Sequence, residues 1–151
     1  MKRAERMVMV QKVVDDLERR RAQALALSER HVAEAEAKLT ELEAYQAGYI
    51  RDFNARAGSG MNAASARDYQ VFLARLDEAL RQQAQAVVRA KTLRNSERQI
   101  WQGAAQRADA VGHMVKVWNA EDRKELDRHE QKESDEFSQR PWAYGMHPRG
   151  A

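Results

Sequence analysis

His129 and Glu133 stand four residues apart, a spacing that puts an imidazole and a carboxylate on one helical face within reach of a shared metal ion. A metal centre needs a third ligand, and the other histidines, His31, His113 and His147, are scattered. The pair therefore reads as a solvated charge pair, and neither a metal nor a cofactor is expected. Asp15 and Asp16 are adjacent and point to different faces of a helix, so they cannot share a proton as an acid/base dyad. The sequence has no cysteine, hence no thiolate nucleophile, zinc knuckle or disulfide framework. It has neither the glycine-rich phosphate loop ending in Lys-Ser/Thr nor the Gly-x-Ser-x-Gly nucleophile elbow. The expectation is a protein that performs no bond chemistry.

Binding is the better prospect, and charge is its first indicator. The sequence pI is about 9.3, and Arg19, Arg20 and Arg21 form the densest basic run. A helix that tracks phosphates would gather its cations into one stripe. Here 26 basic residues are interleaved with 23 acidic ones for a net charge of +3, so the exterior of a coiled coil is expected and nucleic acid is not. The basic start has its apolar stretch broken by Gln11 and Lys12, which does not suit a signal peptide. No window approaches 18 uncharged residues, so direct membrane insertion is not expected either.

The elements that must carry any binding face are helices. Ala, Glu, Lys, Leu and Arg make up about half of the 151 residues, as in long helices and coiled coils. In the first segment Met7, Val10, Val14, Leu17, Arg21, Leu25, Ser28, Val32, Ala35, Leu39, Leu42, Gln46, Tyr49 and Phe53 step by three and four. The double four-residue step from Leu17 through Arg21 to Leu25 predicts a stutter, a local unwinding of the supercoil. In the second segment Tyr69, Leu73, Leu76, Leu80, Gln83, Val87, Ala90, Arg94, Glu97, Trp101, Ala104, Ala108, Val111, Val115 and Trp118 keep a strict heptad. Between them "RAGSGMNAASARDY" interrupts the pattern. Gly58 and Gly60 can end a helix, and Asn62 or Ser65 can cap the next, with Asp68 three residues after Ser65 as in a capping box.

A stop and a start this close fold neighbouring helices antiparallel. The expected fold is all-α, a long two-helix antiparallel coiled-coil hairpin forming a single domain over residues 1–140. Helix 1 covers about 3–57, a turn about 58–62 and helix 2 about 63–139, overhanging the first. The last segment, with Pro141, Pro148 and two glycines, is expected as a flexible tail over 141–151. If Phe53 meets Tyr69, then Leu39 faces Gln83, Val14 faces Ala108 and Met7 faces Val115. Arg21, Ser28, Arg94 and Glu97 are polar interruptions of the seam, which cost stability and can fix register.

Seam logic does not account for Tyr45 and Phe72, each one step off the stripe. In this register Phe72 lies beside Tyr49 and Leu76 beside Tyr45. An apolar edge of Leu42, Tyr45, Tyr49, Phe72, Leu76 and Ala79 is therefore expected near the turn. Aromatic side chains in excess of what a two-helix core can hold mark a binding surface.

"YQAGYIRDFNARAGSGMN", then "DYQVFLARLDEALRQQ", and later "EQKESDEFSQR" resemble the flagellar export protein family FliJ over roughly residues 7–140. The resemblance implies a component of the flagellar type III export apparatus, similar to the central stalk of rotary ATPases and working at the cytoplasmic face of the inner membrane beside the basal body. Its implied partners are the hexameric export ATPase, the cytoplasmic domain of the membrane export gate and export chaperones. For the gate contact the resemblance selects the same Leu42, Tyr45, Tyr49, Phe72, Leu76 and Ala79; Lys38 and Gln83 border that face without matching the family pattern. For the ATPase it implies only a region, the N-terminal turns with the overhang from Trp118 to Arg140. A monomer is expected. An injectisome stalk and a self-assembling coiled-coil scaffold are the alternative readings.

Overall fold

A computed structural model describes residues 2–145. It contains two α-helices, α1 (Arg3–Gly58) and α2 (Ala63–Gly145), packed against each other as an all-α hairpin, with no strand among the described residues. Both are built from good helix formers and carry no proline before Pro141, so nothing in the chain interrupts either ladder of backbone hydrogen bonds.

The turn is made by local chemistry. The N–H of Ser59 bonds to the Arg56 carbonyl at 3.3 Å and that of Gly60 to the Ala57 carbonyl at 3.4 Å, closing the end of α1. Gly60 then takes φ +98°, a left-handed conformation open to glycine and costly to other residues. Asn62 is the cap of α2: its side-chain oxygen accepts from the N–H of Ser65 at 2.8 Å, and its carbonyl accepts from Ala66 at 3.1 Å. Of the two residues expected as candidates, Asn62 therefore caps, and Ser65 supplies the N–H that it satisfies.

Two compact units divide the hairpin, one formed by Leu17–Ala104 and the other by the first turns of α1 up to Asp16 with α2 from Ala105 onward. In the first unit Phe53 meets Tyr69 as expected, while Gln83, expected to face Leu39, reaches the Ala35 carbonyl one turn away at 3.0 Å. Its core is thin. Val32, Leu76, Val87 and Ala104 are the buried apolar residues, joined by Ser28, whose hydroxyl returns to the Leu25 carbonyl at 2.7 Å. In the second unit Val115 is buried, and Gln11 lies against Gly112, where an added Cβ would stand 3.6 Å from the Gln11 amide nitrogen.

The seam of α2 is the expected one, every position from Tyr69 to Trp118 being buried or half-buried. The seam of α1 differs in its first third. Val10 and Leu17 are exposed, while Gln11 and Glu18 are half-buried in their place. The stripe thus runs 7, 11, 14, 18, 21, 25 and onward in an unbroken heptad, and there is no stutter. The physical reason is visible at Glu18, whose carboxylate accepts the indole N–H of Trp101 at 2.8 Å. Glu18 satisfies a half-buried ring donor that the apolar Leu17 could not.

At the other end α2 is longer than expected and continues through Pro141 to Gly145. Proline lacks the N–H for one bond to the preceding turn, but it leaves the residues after it free to hold helical dihedrals. The expected flexible tail over 141–151 is therefore helical in its first five residues, and the rest of it lies outside the described residues.

Candidate protein-docking face

Near the turn, heptad geometry stacks rings from both helices. Tyr45 and Tyr49, four residues apart on α1, have centroids 6.2 Å apart. Across the seam Phe72 lies 4.5 Å from Tyr49 and 6.3 Å from Tyr45. Tyr69 continues the ladder at 4.9 Å from Tyr49 and 5.3 Å from Phe53. Offset and edge contacts at these separations are each worth about 0.5–1.5 kcal/mol beyond area burial.

The six residues expected on an apolar edge do not share one environment. Tyr45 is 55% exposed, and Leu42, Tyr49, Phe72 and Ala79 are half-buried. Leu76 is only 7% exposed and is buried in the seam, so it is not part of the surface. Leu76 belongs to the strict heptad of α2, and the seam claims it first. Gln83, which borders the set, likewise turns inward to Ala35.

Asp52 was absent from the expected set, yet it fixes the outer end of the ladder. Its carboxylate accepts the Tyr69 hydroxyl at 2.6 Å and pairs with Arg56 Nε at 3.5 Å. The hydrogen bond to Asp52 is the main reason the Tyr69 phenol is held above its ordinary pKa, with partial desolvation second; the Arg56 guanidinium pulls the other way. The i,i+4 spacing of Asp52 and Arg56, one turn before the helix end, was the sequence signal for this cluster.

The other unit carries a polar surface of its own. Arg3 pairs with Glu121 at 3.1 Å, and its guanidinium carbon lies 4.3 Å from the centre of the Trp118 ring, which tethers the start of α1 to α2. From residue 119 to 139 every side chain is exposed, including Leu126 and Phe137. This stretch is an unpaired overhang. His129 and Glu133 lie on it 3.1 Å apart, each about two-thirds exposed, as the solvated pair their spacing predicts. Among the described residues no three potential ligands gather into a metal-binding group, and no helix is long and apolar enough to cross a membrane.

Two long helices packed against each other, with no strand among the described residues, define an all-α coiled-coil hairpin. The family model described as Flagellar FliJ protein matches residues 2–146, nearly the whole sequence. The chain belongs to the flagellar FliJ family, and with it to the components of flagellar type III protein export. Comparison with curated proteins and with solved structures gives no significant match.

Proposed function

We propose that this protein is a coiled-coil stalk that links the hexameric export ATPase to the cytoplasmic domain of the membrane export gate during flagellum assembly. The turn-proximal face of Leu42, Tyr45, Tyr49, Phe72 and Ala79 meets the gate, with Leu76 acting through the packing of that face. The first turns of α1 and the overhang from Trp118 to Arg140 enter the ATPase ring. Coupling is mechanical: one molecule held at both ends transmits nucleotide-driven changes in the ring to the gate, and no bond is made or broken by this chain. Membrane association is indirect, through the gate. Empty export chaperones are a further class of partner, with no residues assigned to them.

The observation that carries the reading is Tyr45, a large aromatic side chain left 55% exposed on top of a ring cluster that already satisfies the seam. Aromatic anchors of this kind dominate interface energetics, and truncating one costs about 2 kcal/mol or more. Capture of the purified chain by immobilised export ATPase and by the gate's cytoplasmic domain tests the two ends separately. Binding to both, with Tyr45→Ala impairing only the gate arm, supports the assignment. Binding to neither would refute it.

A further inference from the structure

The Leu17–Ala104 unit has two flanks of opposite chemistry. On one flank the helices are laced together by ion pairs, Glu36 with Lys91 at 3.3 Å and Glu29 with Arg98 at 4.0 Å. On the other, the positions beside the seam step by seven and are mostly apolar: Leu17 and Ala24 on α1, and Ala86, Leu93 and Ile100 on α2. Leu93 is 53% exposed, Leu17 and Ile100 are also exposed, and Leu27, the next position outward on α1, is 50% exposed. On α1 His31 and Lys38 stand between this stretch and the ring cluster, while on α2 the row continues through Ala79 to Phe72.

Cations edge the apolar strip on both sides, Arg20 on α1 and Arg89 on α2, with Glu34 as the acid in the same row. Among the described residues neither Arg20 nor Arg89 has an ion-pair partner, in contrast to the paired cations of the opposite flank. We propose that this flank is a groove that receives one acidic amphipathic helix of another protein, completing a three-helix coil. The seven-residue spacing of Leu17 and Ala24 on one wall, and of Ala86, Leu93 and Ile100 on the other, matches a helix lying along the groove, whose own seam repeats at the same interval. Carboxylates on either side of that seam would meet Arg20 and Arg89 and replace the ion pairs that this flank lacks. A second copy of this chain fits less well, because it would bring like charges to the same rim. The proposal does not depend on the gate or ATPase assignments.

The test uses the full chain and two fluorescent peptides of about four heptads, both with leucine at the seam positions and with either glutamate or lysine flanking them. Anisotropy titration is expected to show the glutamate peptide binding about tenfold or more tightly than the lysine peptide. Leu93→Ser and the double variant Arg20→Gln/Arg89→Gln are each expected to weaken it about tenfold, with unchanged helix content by circular dichroism. Val88→Ser and Arg81→Gln, on the other side of α2, should leave it unchanged. Equal affinity for the two peptides, or affinity indifferent to Leu93 and the two arginines, overturns the proposal. So does a dimer in sedimentation that Leu93→Ser dissolves, since a second copy would then be the occupant.

Discussion

Trp101 donates its indole N–H to the Glu18 carboxylate across the two helices at 2.8 Å, and both residues sit on the seam. The bond explains why α1 keeps an unbroken heptad although the apolar Leu17 is next door and exposed. Removing the donor strands a half-buried carboxylate oxygen. Trp101→Phe is therefore expected to lower stability by about 1–3 kcal/mol in urea unfolding, and Glu18→Gln, which keeps an acceptor, by less.

Glu97 presents the reverse case. Its Oε2 is buried in the same seam and has no hydrogen-bond partner. An unsatisfied buried oxygen costs about 1–3 kcal/mol, so Glu97→Leu is expected to raise the urea midpoint while leaving helix content unchanged. An unchanged or lower midpoint would show that the carboxylate is satisfied in solution.

At the turn, Asn62 and Gly60 have different tasks. Asn62→Ala removes the cap of α2 and is expected to cost about 1 kcal/mol. Gly60→Ala has open space around its new methyl group but must hold a positive φ, for about 1–2 kcal/mol. Thermal unfolding followed by circular dichroism measures both.

Tyr69 gives a signature in alkali. Its phenol proton is held by Asp52, so the native pKa lies above the ordinary value near 10. The stabilisation is fully present below that ordinary value and is lost as pH rises through the elevated native one. In an ultraviolet phenolate titration Tyr69→Phe should remove a late-titrating phenol, and Asp52→Ala should return that phenol to the usual range. If neither variant changes the late part of the curve, the hydrogen bond does not persist in water.

Much of this was legible in the sequence because coiled coils write their contacts in a seven-residue period. The strict repeat from Tyr69 to Trp118 gave α2's buried face, and the glycines with Asn62 gave the reversal of direction. The seam of α1 departs from the apolar pattern where apolar character and position part company. Val10 and Leu17 look like core, while Gln11 and Glu18 look like surface, and only the partners across the seam decide between them. Leu76 shows the same limit at the candidate face, since a stripe on one helix cannot say which of its members the other helix covers. Pro141 misled for a different reason, because its cost falls on the turn before it.

The central claim is that the ring cluster beside the turn engages the export gate. The most direct measurement is titration of the gate's purified cytoplasmic domain with the unmodified chain, with Tyr45→Ala and with Phe72→Ala, helix content being checked for each. The account predicts a loss of about tenfold or more for both variants, with Tyr45→Ala lowering stability only by what its two ring contacts contribute, about 1–3 kcal/mol, and remaining folded. Gate affinity unaltered by both substitutions in folded protein would contradict it.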